Sequence, residues 1–174
     1  LSEANRLLRQ AAAAGSATAM VRLAHHYLAG TGVPKDYVES QALFLQASAL
    51  GNADADVGLG YLYQAELMQL SSDRSAAYWY ERAAHAGNVE GQLRWARMLL
   101  DKGRSRQARD WFVAAARQDS IAAHNNLAWL LATLDDAELR DGPRAVAHAQ
   151  VAVEAEPSPA HLDQSRKCQL RRNT

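Results

Sequence analysis

One cysteine, Cys168, stands in 174 residues. That excludes an intrachain disulfide and a cysteine-rich metal centre. Four prolines and ten glycines are too few turn residues for a sandwich or barrel, and the dominant residue is alanine. The composition suits helices. No apolar run approaches the length of a membrane span, and nothing at the start resembles a signal peptide. The chain opens on "LSEANRLLRQ", which already reads as helix, as a processed chain or a fragment would. No net charge draws it to nucleic acid or anionic lipid, because 19 basic residues offset 19 acidic ones. The balance is uneven along the chain. Arg166, Lys167, Arg171 and Arg172 are the only charges in 166–174, so the body is mildly acidic and the tail basic.

What the sequence does have is a repeat. Gly15, Gly51 and Gly87 are spaced by 36 residues, as are Ala19, Ala55 and Gly91. Leu23, Leu59 and Trp95 follow the same spacing, and so do Tyr27, Tyr63 and Leu99. A fourth copy comes 32 residues on: Asp119, Ala123, Leu127, Leu131. A second block precedes each of these, as "LLRQAAAAG", "LFLQASALG", "YWYERAAHAG" and "DWFVAAARQD", with a weaker copy in "AVAHAQVAVEAEP". It aligns Leu7/Leu8, Leu43/Phe44, Trp79/Tyr80 and Trp111/Phe112, then Ala11, Ala47, Ala83, Ala115 and Ala152.

Each unit predicts two helices. A small residue followed by large ones at i+4 and i+8 makes one face of a 3.6-residue helix. An aromatic pair followed by alanine makes the second, with the alanines allowing close approach and the aromatics filling the layer between. The recurrent glycine predicts a left-handed helix stop. Asn52 and Asn88 fit as N-caps of the next unit, and Asp36 and Ser72 fit the start of the second helix. No unit can bury its apolar face alone, so the units must stack.

The stretch from Ala19 to Asp36, "AMVRLAHHYLAGTGVPKD", followed by "ASALG", resembles a Sel1-like repeat. So does "ADVGLGYLY" with "AAYWYERAAHAG". The run "AHNNLAWLLATLDDAELRDGPRAVAHAQVAVEAEP" is more similar to a bacterial tetratricopeptide repeat. The resemblance covers roughly residues 4–165. It implies an all-α, right-handed α-solenoid of about four helix-turn-helix repeats, used to hold other proteins together. Residues 1–156 would form that domain, and 157–174 an extension, either partial helix or disordered basic tail. Only the first unit keeps the Gly30–Gly32–Val33 loop; the second has "QAELMQLSSD" and the third the shorter "DKGRS". Some relatives pin each repeat with a disulfide, which one cysteine cannot do.

The chemical-looking features give way to plainer readings. Adjacent helical residues point about 100° apart, so His25 and His26 cannot chelate one ion together. Gly30-Thr31-Gly32 lacks the third glycine of a dinucleotide fingerprint and the lysine of a P-loop, and reads as a turn. "NADADVG" imitates a calcium loop, but its glycine is one place late and Tyr63 stands where Glu is required. No nucleophile elbow or metalloprotease motif occurs. No catalytic residue, metal or cofactor is expected.

In tetratricopeptide-like units the first helices line the concave face. Two residues after the core leucines, the groove column would be His25, Tyr61, Arg97 and Trp129. Val21, Val57 and Asn125 would border it, and Gln64 would extend it. The residue types in that column vary and suit recognition. The expectation is a non-catalytic protein-interaction module taking a protein or peptide, without nucleic acid binding or membrane insertion. Two alternatives stand beside it: a self-assembling homo-oligomer joined through the solenoid ends, and a hydrolase, for which no residue presents itself. The compartment is left open between bacterial cell envelope, periplasm and cytoplasm.

Overall fold

Two kinds of turn recur between the described helices, and these turns set the architecture. The computed structural model describes residues 3–65, 75–133 and 140–155, and these hold nine helices and no strand. The helices are α1 (Glu3–Ala13), α2 (Ala17–Ala29), α3 (Tyr37–Ala49), α4 (Ala53–Gln64), α5 (Ala76–His85), α6 (Val89–Asp101), α7 (Ser105–Ala116), α8 (Ile121–Thr133) and α9 (Gly142–Ala155). The chain divides into two compact units, Leu1–Gly91 and Gln92–Thr174. No helix among the described residues is long and apolar enough to cross a membrane. Ser72, most of "QAELMQLSSD", most of "LDDAELRD" and the basic tail with Cys168 lie outside the described residues.

The turn that closes a repeat is the same at each copy. Gly51 N–H donates to Ser48 O and Asn52 N–H to Ala47 O. Gly15/Ser16 and Gly87/Asn88 make the same pair of bonds one repeat before and after. This double closure needs a left-handed residue, and Gly15, Gly51 and Gly87 have φ of 88°, 82° and 82°. A Cβ at these glycines would meet nothing within 4 Å, so backbone conformation alone selects them. The fourth copy keeps the bonds and φ of 59° with Asp119 in the glycine's place, the one non-glycine at positive φ among the described residues. The next residue then caps the following helix. Ser16, Asn52, Asn88 and Ser120 accept from the N–H groups of Ala19, Asp54 and Ala55, Gly91 and Ala123 respectively.

In the first unit most column residues form the core, while Leu7 in the first copy is 51% exposed. Leu23, Leu59, Phe44, Ala47, Trp79, Tyr80 and Ala83 are buried, and each fully buried aromatic contributes about 2–3 kcal/mol of transfer free energy. Helix α4 is pressed from both sides. A Cβ on Gly58 would stand 2.4 Å from the Phe44 ring, and one on Gly60 would stand 2.4 Å from Tyr80. The "GLG" of α4 therefore makes room for the aromatics of α3 and α5.

Asn5, Ser40, Ser48 and Asp56 are buried polar residues of this unit, and Asn5 and Asp56 tie elements together. Asn5 is 0% exposed. Its Nδ2 donates to Thr31 O at 2.9 Å, while its Oδ1 bonds His26 Nδ1. The amide thus ties α1 to the Gly30-Thr31-Gly32 segment, which is a turn. Asp56, in the first turns of α4, pairs through Oδ2 with Arg82 Nε at 3.1 Å. Burial raises the Asp56 carboxyl above its ordinary value, with Ser48 and Arg82 acting against that rise.

In the second unit Trp95, Leu99, Phe112, Ala115, Leu127 and Leu130 are buried. Helix α8 packs against α7 on one side and α9 on the other. Ala128, Leu131, Ala132, Ala145, Val146 and Ala149 form the apolar contact between α8 and α9. Asp141 caps α9 by accepting from Arg144 N–H at 3.0 Å.

Candidate interaction surface

Each first helix of a repeat leaves one narrow strip in water. On α2 the exposed residues are Thr18, Arg22, His25 and Ala29, spaced as one helical face. On α4 they are Asp54, Tyr61 and Gln64, on α6 Glu90, Arg97 and Asp101, and on α8 Ala122 and Trp129. His25, Tyr61, Arg97 and Trp129 all fall on these strips. His25 and Tyr61 belong to the first unit, Arg97 and Trp129 to the second. Tyr61 is 45% exposed and Trp129 53%, although Leu59 and Leu127, two residues earlier, are sealed.

The flanking positions depart from expectation at Val21. It is 7% exposed and belongs to the core. Val21 lies in the apolar cluster with Ala12, Leu23, Tyr27 and Phe44. Val57 is half-buried. Asn125 is half-buried as well, and its Oδ1 is shielded from solvent, so that oxygen does not face a ligand. Gln64 is exposed, but its Oε1 already accepts from Tyr80 O–H at 2.9 Å.

Electrostatics differ between the two units. The His25 ring lies edge-on to Phe44, with centroids 5.1 Å apart. Its burial there lowers the His25 pKa; Asp54 acts to raise it and His26 to lower it. His25 is therefore neutral at pH 7. Arg97 and Trp129 place a cation and an indole on the second unit, the types that most often anchor interfaces. Reasoning from the columns missed Asn5, Asp56 and Arg82, because each acts at only one repeat.

A cleft of about 540 Å³ opens between α1, α2 and α3, lined by Arg9, Tyr27, Asp36, Glu39, Leu43 and Gln46 among others. None of His25, Tyr61, Arg97 and Trp129 lines it. Arg9 bonds the Tyr27 hydroxyl and lies over its ring, 5.8 Å from the centroid. Among the described residues no three His, Cys, Asp or Glu side chains converge as metal ligands would.

Comparison with known proteins agrees with this architecture. The Sel1 repeat matches residues 1–16, 17–52, 53–88 and 89–120, so its repeat boundaries fall at the glycine turns. A protective antigen present in uropathogenic Escherichia coli strains, displaying an SLR fold, superposes with a TM-score of 0.75 at 31% identity. That match covers 90% of this chain but only 34% of the antigen, so the chain spans about a third of its length. A Sel1 repeat protein from Oxalobacter formigenes has TM-score 0.75 and 22% identity over 97% of this chain and 78% of its own. An immunity protein from Pseudomonas aeruginosa shares the fold at TM-score 0.65 and 16% identity, over 99% of this chain and 74% of its own. No curated protein matches in sequence. Sel1 repeats are in general non-catalytic helical scaffolds for protein interactions. With repeat matches over more than half its length and a solenoid fold to go with them, the chain belongs to the Sel1 repeat family.

Proposed function

We propose that the chain is a non-catalytic interaction module that holds a segment of a partner protein on the exposed strips of its first helices. Tyr61 and Trp129 act as apolar anchors, Arg97 pairs an acidic group of the partner, and His25 presents a neutral imidazole at the same repeat position. The observation that carries this reading is the exposure of Tyr61 and Trp129 two residues beyond fully buried leucines. Stacking satisfies the leucines and leaves the aromatics without apolar cover. Large aromatics held half in water at a repeated position suit a surface that is completed by a ligand.

The test is affinity capture from a bacterial lysate with the wild-type chain beside a Tyr61→Ala, Arg97→Ala, Trp129→Ala variant confirmed folded by circular dichroism. A retained protein is then identified, purified and titrated against both. A single Ala substitution at Trp129 or Arg97 should weaken that binding by about 1–3 kcal/mol with an unchanged melting temperature. Equal binding by wild type and triple variant overturns the surface assignment. Concentration-dependent mass in solution, lost in the triple variant, would make the partner a second copy of this chain.

A further inference from the structure

The contact between α8 and α9 brings together two imidazoles that belong to no repeat column. His124, in the first turn of α8, and His148, in the middle of α9, are both half-buried. Their Nδ1 atoms stand 2.9 Å apart, their ring centroids are 5.0 Å apart and their planes cross at 52°. Two nitrogens at that distance share one proton, with one Nδ1 donating and the other accepting.

We propose that His124 and His148 form a two-imidazole site for a transition-metal dication, with zinc, nickel and copper as the class that imidazole nitrogens prefer. Two nitrogens about 2.0–2.1 Å from a tetrahedral ion lie roughly 3.3–3.4 Å from each other. The observed separation is a few tenths of an ångström shorter, a gap closed by small ring rotations about χ1 and χ2. The backbones need not move, because the apolar seam of Ala128, Leu131, Ala145 and Ala149 fixes α8 against α9. The ion takes the place of the shared proton, and the donor ring regains a proton from water at Nε2, so both rings stay neutral and both Nδ1 lone pairs face the ion.

Among the described residues no third His, Cys, Asp or Glu completes the set, so two coordination positions stay open to water or to a side chain of a bound protein. Arg144 lies one turn before His148, and its guanidinium is paired with Asp141 at 3.3 Å, which offsets its repulsion of a dication. A site with open positions binds reversibly. It fits a metal that helps to hold a partner at this end of the chain better than a structural ion.

The tag-free chain is titrated calorimetrically with ZnCl2 and NiCl2 in chelator-free buffer. The expected result is saturable uptake of one ion per chain, weakened at least about tenfold in His124→Gln and in His148→Gln and unchanged in His25→Gln. Copper bound to the wild type should give a paramagnetic resonance spectrum with hyperfine structure from two imidazole nitrogens. That readout needs no variant, so it stands even where a variant fails to fold. No uptake at millimolar metal, uptake unchanged in both variants, or a single-nitrogen spectrum would each leave the two histidines as a hydrogen-bonded pair and overturn the assignment.

Discussion

Arg82 of α5 reaches back into α4 to the Asp56 carboxylate, Nε to Oδ2 at 3.1 Å, and donates through Nη2 to Ser48 O and Ser48 Oγ of α3 at 2.8 and 2.7 Å. One side chain thereby joins three consecutive helices while its guanidinium covers the Trp79 ring, 5.3 Å from the centroid. The Asp56 side chain is only 3% exposed and the Arg82 side chain 37%. Removing the arginine leaves a buried carboxylate without its cation, and water reaches the arginine side of the pair. Arg82→Ala should therefore cost about 2 kcal/mol, below the range for a fully buried pair. In an Asp56→Asn background the same substitution should cost markedly less, as a double-mutant cycle in urea would report. The folded-state pKa of Asp56 is raised, so its protonated form favours the fold; that contribution is complete below the ordinary carboxylate value and is lost as pH rises through the raised one. The cost of Arg82→Ala should accordingly shrink on acidification.

Asp119 occupies with φ of 59° a position that glycine holds in the three preceding repeats. A left-handed conformation costs an L-residue about 1–2 kcal/mol, less for Asp than for most. Asp119→Gly should raise stability by about 0.5–1 kcal/mol, and Gly51→Ala should lower it by about 1 kcal/mol. The two changes together serve as a control: they alter equivalent turns of two different repeats in opposite directions, and thermal unfolding should shift accordingly.

Gly58 is a packing glycine rather than a turn glycine. Gly58→Ala drives a methyl against the Phe44 ring and should destabilise by about 1–3 kcal/mol. Phe44→Leu placed in the same chain should recover part of that loss. An unchanged denaturation midpoint for Gly58→Ala would mean that α3 and α4 are farther apart than described.

The lowered pKa of His25, set by burial against Phe44 and modified by Asp54 and His26, also has a sign. A depressed folded-state pKa makes the neutral ring favour the fold. Its contribution is present above the ordinary value of 6.5 and is lost as pH falls through the lowered one. Melting temperatures compared at pH 7.5 and 5.5 should therefore differ less in His25→Gln than in wild type.

The repeated features could be read before the structure because stacking imposes them on every copy. Leu23, Leu59 and Leu127 face the same kind of neighbour, so one spacing exposes them all. The glycine turn, the asparagine caps and the alanine–aromatic blocks follow from the same requirement. Val21 is buried where Val57 and Asn125 of the same column are half-buried, because a column fixes a residue's direction and not how closely its neighbours pack. Asn5, Asp56 with Arg82, and His124 with His148 meet across helices at single places in the chain, and a repeat makes such contacts invisible to its own periodicity. The exposure of His25, Tyr61, Arg97 and Trp129 was legible from the two-residue offset, since a helix with a sealed apolar face must turn its other side to water.

The two kinds of turn have different freedoms. The closing turn spans residues 50–52 between α3 and α4 and 86–88 between α5 and α6, and its bond pattern fixes its length. The turn inside a repeat runs from 30 to 36 between α2 and α3, but only from 102 to 104 between α6 and α7. This shortening accounts for the change of spacing from 36 to 32. Between these two described repeats the difference in length falls in the turn inside the repeat. An evolving or engineered chain can therefore receive insertions there, and acquire new loops, while the phase of every later helix is conserved.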